Sequence, residues 1–144
     1  MNPYGRQYTA YTEITERQIL IMEIHESAED YLETILILKE RTGQVRSIDI
    51  ATELNYSKPS ISVAMKKLRE NGYIEVDRAG LISLTASGYE IASNIYERHK
   101  LLTDFFISLG VNEKTAALDA CKIEHDLSAE TYEKIREHAL KLLA

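Results

Sequence analysis

The sequence predicts a mainly α-helical fold with a small β-hairpin wing, in which a winged helix-turn-helix domain precedes a helical domain. Three observations lead to this fold class. Apolar residues recur at helical spacing through most of the chain, one short segment alternates around a turn, and glycines close several helical patterns. With 144 residues, 44% of them hydrophobic and 28% charged, the chain can bury a core and is not expected to be disordered.

The first 26 residues are predicted to form an N-terminal extension. Thr15 and Gln18 are spaced to cap a short helix over residues 14–25, whereas residues 1–13 are the stretch where we expect disorder. The chain begins without the basic start and cleavage site of a signal peptide, and its apolar runs are far shorter than a membrane span. These features predict a cytoplasmic protein.

Residues 27–88 are predicted to form the winged helix-turn-helix domain, which begins with two helices. Ser27 is placed to cap a core helix that runs to about residue 42 and is stopped by Gly43. A second helix starts after Ser47 and ends at the Asn55-Tyr56 corner. Three of its apolar positions recur at helical spacing and are expected to face the core: Ile48, Ala51 and Leu54.

A third helix and a hairpin complete this domain. The helix begins at Ser57, carries Pro59 in its first turn and ends at Asn71-Gly72. Its apolar positions are expected to face inward: Ile61, Ala64, Met65 and Leu68. Residues 73–76 and 81–84 then alternate as two strands joined by a turn over residues 77–80, which predicts the wing.

The third helix is also the most basic part of the chain. The chain has a net charge of -6, yet the segment 57–69 contains four cations and no acid. A basic helix that follows a helix-turn and precedes a wing is predicted to enter the major groove of DNA. Ordinary solubilising charges are the alternative. The candidate DNA contacts lie on this helix and in the wing turn: Ser57, Lys58, Pro59, Ser60, Ser62, Lys66, Lys67 and Arg78.

Residues 89–144 are predicted to form a helical domain for metal binding and dimerisation. Thr85 is placed to cap a long helix that ends at Gly110, and two further helices are expected over residues 112–126 and 128–143. Three helices are too few to bury a convincing core of their own. We therefore expect this domain to form a homodimer.

The pattern C-x-x-E-H at residues 121–125 suggests a metal centre. Cys121, Glu124 and His125 stand at positions i, i+3 and i+4, which share one face of a helix. Thiolate, carboxylate and imidazole together suit a divalent transition metal better than calcium or magnesium. Packing is the alternative role for the cysteine.

Three further candidate ligands lie on earlier helices. Asp30 and Glu33 share one side of the first core helix, and His99 lies midway along the long helix. The alternatives are that the two acids are solvated and that His99 is a satisfied core histidine. All six candidates beside a DNA-binding motif are more simply explained as a metal-sensing DNA-binding protein.

Three segments make the resemblance to a known family specific. S-A-E-D-Y-L-E-T-I at residues 27–35, E-R-H-K-L-L at 97–102 and D-A-C-K-I-E-H-D-L-S at 119–128 resemble the diphtheria-toxin-repressor and manganese-transport-regulator family. The likeness spans about residues 27–140. It implies a homodimeric winged-helix repressor that binds operator DNA with Mn(II) or Fe(II) and shuts down metal uptake.

The resemblance also implies a set of ligands. Five positions match ligands of the manganese branch: Asp30, Glu33, His99, Glu124 and His125. Cys121 instead matches the iron branch. The ancillary site of that branch is broken, because Thr103 and Ala117 replace an expected glutamate and histidine. The chain is expected to be the short form without a C-terminal SH3-like domain.

The expected mechanism is linkage between metal and DNA. Metal bound between the two domains would fix the spacing of the two recognition helices, which must lie about 34 to 36 Å apart to enter successive major grooves of a palindromic operator. The main alternative is a metal-independent winged-helix regulator that responds to a small molecule or to oxidation of Cys121. An enzyme is not expected, because the chain lacks H-E-x-x-H, a nucleophile elbow and a phosphate loop.

Overall fold

A computed structural model describes the backbone of residues 16–143 and the side chains of residues 26–143. Within this part of the chain, six helices and one antiparallel hairpin follow one another. Their bounds are α1 (Glu16–Thr42), α2 (Ser47–Leu54), α3 (Lys58–Glu70), β1 (Ile74–Val76), β2 (Ile82–Leu84), α4 (Ala86–Ser108), α5 (Glu113–Ile123) and α6 (Ala129–Leu143). The predicted fold class, mainly helical with a small wing, is confirmed.

Helix α1 differs from its prediction. The expected break at Ser27 is wrong, because one helix runs from Glu16 to Thr42. Its sequence contains no glycine or proline, so a serine that would favour a helix start is simply carried within the helix. The predicted cap at Thr15 and the disorder over residues 1–13 lie outside the described residues. The predicted domain limits at 26/27 and 88/89 fall inside α1 and α4, and they remain predictions.

Helix α2 has a different buried face from the one expected. Ile48 is 44% exposed, whereas Ile50 and Ala51 are buried. Ile48 and Ile50 are two residues apart, so they cannot share one helix face, and packing decides which is buried. The prediction of Ile48 as a core residue is therefore wrong. Helix α2 ends at Asn55 as predicted, and Asn55 adopts the left-handed conformation there.

Helix α3 and the wing follow their predictions. Ser57 caps α3 by accepting a hydrogen bond from the Ser60 N–H at 3.3 Å. In the hairpin, Ile74 pairs with Leu84 and Val76 with Ile82. Asp77 Oδ1 accepts hydrogen bonds from the backbone N–H groups of Ala79 and Leu81, both at 2.9 Å, which shapes the wing turn.

A glycine lets the wing pack closely on the start of α4. A Cβ added at Gly88 would collide with the carbonyl oxygen of Tyr73. Thr85 caps α4 through its hydroxyl and donates to the Gly72 carbonyl at 2.7 Å. The wing and α4 are thereby held in a fixed relation.

Two cores are separated along the chain. The larger one lies between α1, α2, α3 and the wing, and its fully buried members are mostly large: Leu32, Ile35, Ile50, Ile61 and Ile74. The smaller one lies along α4, α5 and α6 and is rich in alanine: Ile95, Leu102, Ala116, Ala120 and Ala139. Helix α1 packs against both α2 and α4 and so joins the two. No helix within residues 16–143 is both long and apolar enough to cross a bilayer.

Candidate metal centre and nucleic-acid interface

The candidate metal centre lies between α1 and the turn that follows α5. Glu124 caps the C-terminus of α5, and His125 lies in the turn itself. Helix α5 was predicted to run to about residue 126, but it ends at Ile123. Glu124 keeps helical backbone angles and donates its N–H to the Ala120 carbonyl, and His125 follows in the turn.

Four side chains converge in this space: Asp30, Glu33, Glu124 and His125. Each offers one ligand atom, and these atoms all lie within 4.8 Å of one another. Glu124 is fully buried and Glu33 is 8% exposed. Buried carboxylates are rare unless they are paired or bind a metal ion.

Several polar atoms of this group have no hydrogen-bond partner although they are buried. They are Oε2 of Glu33, Oε1 of Glu124 and Nε2 of His125. Nε2 of His125 comes within 2.7 Å of Asp30 Oδ1 and 3.4 Å of Glu124 Oε1, but neither approach has the alignment of a hydrogen bond. Three carboxylates and an imidazole with unused lone pairs are a suitable donor set for a divalent cation.

The protonation states of the group reflect its burial. Desolvation and the nearby Glu124 carboxylate raise the pKa of Glu33 to about 8. For His125, burial acts to lower the pKa, but the carboxylates of Asp30 and Glu29 outweigh it and raise the pKa to about 10. Without a cation, this cluster of acids therefore retains protons at neutral pH.

His99 reaches the group through Glu124. Its Nδ1 lies 3.0 Å from Glu124 Oε2, and this bond raises the pKa of His99. It is not among the four converging residues, but it contacts one of them from α4. Thr103 donates its hydroxyl to the His99 carbonyl at 2.7 Å.

Cys121 is exposed and lies outside the four converging residues. Although the residue as a whole is exposed, partial burial of the sulfur and the surrounding carboxylates, first among them Glu124, raise the pKa of the thiol to about 11. A thiol with a raised pKa is mostly protonated at neutral pH and is a poor nucleophile. Its predicted role as a ligand stays a prediction.

Two residues at this site were not predicted from the sequence. Glu29 Oε2 lies 2.8 Å from Nδ1 of His125. The Arg98 guanidinium donates to the carbonyls of Glu124 at 3.1 Å and Leu127 at 2.9 Å, and it stacks on Tyr132. The only sequence signal was position: Glu29 is adjacent to Asp30, and Arg98 is adjacent to His99.

The predicted DNA-contacting residues lie on the surface of α3 and the wing turn. All eight are exposed: Ser57, Lys58, Pro59, Ser60, Ser62, Lys66, Lys67 and Arg78. Ser57 and Ser60 already pair through their hydroxyls at 2.8 Å, so their first role is to cap α3. Val63, which was not predicted, is 56% exposed in the middle of this basic face. An exposed apolar side chain among cations is suited to contact thymine methyl groups.

Family models cover most of the chain. The model described as "Iron dependent repressor, N-terminal DNA binding domain" matches residues 23–80, and that described as "Iron dependent repressor, metal binding and dimerisation domain" matches residues 85–141. This chain belongs to the iron dependent repressor family. Membership confirms the prediction of a metal-dependent DNA-binding regulator that dimerises and is not an enzyme.

Relatives in this family include named transcriptional regulators. The chain is 32% identical over 139 residues to the transcriptional regulator MntR of Escherichia coli, with 93% of this chain and 90% of the relative covered. It is 38% identical over 113 residues to an uncharacterised HTH-type transcriptional regulator of Methanocaldococcus jannaschii, with 77% and 90% covered.

Solved structures of similar regulators share the fold. The manganese regulator SloR matches with a TM-score of 0.68 at 28% identity, over 77% of this chain and 52% of that chain. A manganese-dependent transcriptional repressor in complex with manganese matches with a TM-score of 0.71 at 28% identity, over 78% and 52%. The chain thus spans about half the length of these two solved chains.

Proposed function

We propose that this member of the iron dependent repressor family represses metal-uptake genes and binds its operator when Mn(II) joins α1 to the turn after α5. The observation that carries the proposal is the convergence of three buried, unpartnered polar atoms on Glu33, Glu124 and His125. A bound divalent cation would satisfy all three and supply the positive charge that this cluster of carboxylates lacks.

The donor set favours Mn(II) over softer metals. Asp30, Glu33 and Glu124 offer hard oxygen atoms, and His125 offers one imidazole nitrogen. His99 is the candidate for a further ligand, because it already contacts Glu124. Cys121 would favour Fe(II) or another softer metal if it joined the set, but its thiol is exposed and mostly protonated.

Metal binding is coupled to DNA binding through α1. Leu32 and Ile35 on α1 belong to the core that also holds Ile61 of α3, so α1 and the recognition helix move together. Metal would fix α1 to α5 and, through His99 and Arg98, to α4. Because α4 to α6 form the dimerisation domain, this bridge would restrict the distance between the two α3 helices of a dimer.

On the DNA side, α3 is proposed to enter the major groove. Lys58, Ser62 and Lys66 lie along one exposed row at four-residue spacing, and Pro59, Val63 and Lys67 form the next row. Arg78 at the wing turn is placed for a phosphate contact. A two-fold symmetric dimer implies a palindromic operator, and we propose that the protein acts in the cytoplasm.

The test of this function is a metal titration of the metal-free protein. Binding to a labelled palindromic duplex, selected from random DNA, is followed at fixed salt as Mn(II), reduced Fe(II), Co(II) or Zn(II) is added. We expect Mn(II) to raise the affinity for the selected duplex at least tenfold at micromolar concentrations. Equal sequence-specific binding with and without each metal would refute the metal-dependent mechanism.

Two variants locate the response at the proposed centre. Glu124→Ala removes the fully buried ligand and is expected to abolish the Mn(II) response while circular dichroism and dimer mass stay unchanged. Glu113→Ala makes the same substitution at the exposed, opposite end of α5 and is expected to respond as the unsubstituted protein. An undiminished response of Glu124→Ala would show that the metal binds elsewhere.

A further inference from the structure

Each ring nitrogen of His125 has a carboxylate oxygen within 2.8 Å, but only Nδ1 has the geometry of a hydrogen bond. Its side chain is 2% exposed, with Nδ1 2.8 Å from Glu29 Oε2 and Nε2 2.7 Å from Asp30 Oδ1. Asp30 belongs to the four converging residues and Glu29 does not. The two carboxylates therefore lie on different sides of the ring, one towards the metal centre and one away from it.

We propose that Glu29 is a positioning residue of the metal centre, which holds His125 so that Nε2 faces the metal. The proposal rests on the proposed function, because it assigns a role to Glu29 only if His125 is a ligand. A neutral imidazole has one N–H, and the nitrogen without it carries the lone pair that binds metal. A carboxylate that accepts the Nδ1 proton fixes this choice and the orientation of the ring.

The position of Glu29 explains why it can hold the ring without taking a place at the metal. It lies one residue before Asp30 on α1, so the two carboxylates leave the helix in different directions. Glu29 keeps 31% of its side chain exposed, so it lies at the edge of the cluster beside the buried ring. Without it, Nδ1–H would be buried with no acceptor, or the proton would move to Nε2 and block coordination.

The first test measures Mn(II) affinity by competition with a fluorescent chelator. We expect Glu29→Ala to weaken Mn(II) binding by about tenfold to a hundredfold, the range found when an outer carboxylate partner of a ligand histidine is removed. Glu29→Gln keeps an oxygen that accepts the Nδ1 proton, so its affinity is expected to stay within about threefold of the unsubstituted protein. Glu40→Ala, at an exposed position of the same helix, is the matched control.

The second test observes the ring directly. Nitrogen-15 spectra of the histidine rings are recorded on protein loaded with Zn(II), a diamagnetic probe, with signals assigned through single His→Gln variants. We expect His125 to be protonated on Nδ1 and metal-bound through Nε2 in the unsubstituted protein and in Glu29→Gln. In Glu29→Ala, the metal-bound signal of His125 is expected to broaden or be lost.

The outcomes separate the two levels of the proposal. If the unsubstituted protein binds neither Mn(II) nor Zn(II), the proposed function fails and this inference fails with it. If it binds metal and Glu29→Ala binds equally well with an unchanged His125 signal, only the positioning role is refuted. If Glu29→Gln loses as much affinity as Glu29→Ala, an oxygen that accepts the Nδ1 proton does not account for the effect and the positioning role is again refuted.

Discussion

The winged-helix half of the chain has a core of mostly large aliphatic side chains, whereas the half that follows has a smaller core rich in alanine. The turn after α5 faces α1 through carboxylates and an imidazole. Leu32, Ile35, Ile50 and Ile61 are buried in the first half. In the second half, several large apolar side chains stay exposed: Ile107, Leu109, Leu118, Leu140, Leu142 and Leu143. Burial of apolar area is the main stabilising contribution to folding, so the two halves differ in how much of their stability is intrinsic.

The difference indicates a division of roles. The first half has the core of a rigid body that can carry α3 and the wing as one unit. The second half exposes several large apolar side chains, and its turn after α5 faces α1 through polar groups that are incompletely paired. A contact made by incompletely paired carboxylates and an imidazole can be stabilised by a cation, because the cation supplies the missing positive charge. An apolar contact between the same elements would not respond to a cation.

The largest expected effect concerns the core of the first half. Ile61→Ala removes a fully buried side chain and should lower the free energy of unfolding by about 2 to 5 kcal/mol. Val63→Ala, on the exposed face of the same helix, should change it by less than about 0.5 kcal/mol. Urea unfolding of the metal-free protein measures both. Similar losses for the two variants would contradict the assigned core.

The next effect is the pH dependence of Mn(II) affinity at the candidate metal centre. The raised pKa values of Glu33, about 8, and His125, about 10, mean that metal must displace protons at neutral pH. The affinity for Mn(II) should therefore increase between pH 6 and pH 8, by up to about tenfold per pH unit for each displaced proton. Chelator competition at constant ionic strength measures this slope.

The same two pKa shifts affect the stability of the metal-free protein in the opposite direction to Mn(II) affinity: the stability decreases as the pH rises. Both groups have a raised pKa, so their contribution to stability is full below their ordinary values of 4.5 and 6.5 and is lost as the pH rises through about 8 and about 10. The free energy of unfolding should fall across this window without metal and recover when Mn(II) is added. If neither the Mn(II) affinity nor the free energy of unfolding changed with pH in this range, Glu33 and His125 would not be the titrating groups.

A smaller effect is expected at Arg98, which connects the turn after α5 to α4. Arg98→Ala removes the donor to the Glu124 and Leu127 carbonyls, so the turn that presents Glu124 and His125 is less ordered. We expect Mn(II) affinity to fall by about tenfold, as for other groups that orient metal ligands. The matched control is Arg136→Ala, because Arg136 is an exposed arginine on α6 that pairs with Glu133. Equal Mn(II) affinities for the two variants would show that Arg98 does not help to position Glu124 and His125.

The smallest effect is expected at the cysteine. Cys121→Ser should change Mn(II) affinity by less than about threefold, because the exposed thiol is outside the converging group and Mn(II) prefers oxygen ligands. Titration of the unsubstituted protein and of Cys121→Ser with Co(II) tests the sulfur directly. If the thiolate binds Co(II), the unsubstituted protein shows a thiolate charge-transfer absorption that the variant lacks. A loss of Mn(II) binding as large as that of Glu124→Ala would make Cys121 a ligand and shift the preference towards softer metals.

The fold class, most helix ends and the residue types of the candidate metal centre could be predicted from the amino-acid sequence alone. Helix stops at Asn55 and Gly110, caps at Ser57 and Thr85 and the alternation of the wing are local effects, which depend on a few neighbouring residues. Four of the six predicted ligands, Asp30, Glu33, Glu124 and His125, lie close together, and their role as ligands stays a prediction. The comparisons confirmed the resulting family.

Other features depend on tertiary contacts, which local sequence patterns do not specify. Whether α1 breaks at Ser27, and whether Ile48 or Ile50 is buried, depends on packing between helices. Glu29 contacts His125, which lies 96 residues away along the sequence, and Arg98 contacts Glu124, which lies 26 residues away. Such contacts arise only when α1, α4 and the turn after α5 meet, because hydrogen bonds act over a few ångströms and no local spacing encodes which distant groups will be neighbours.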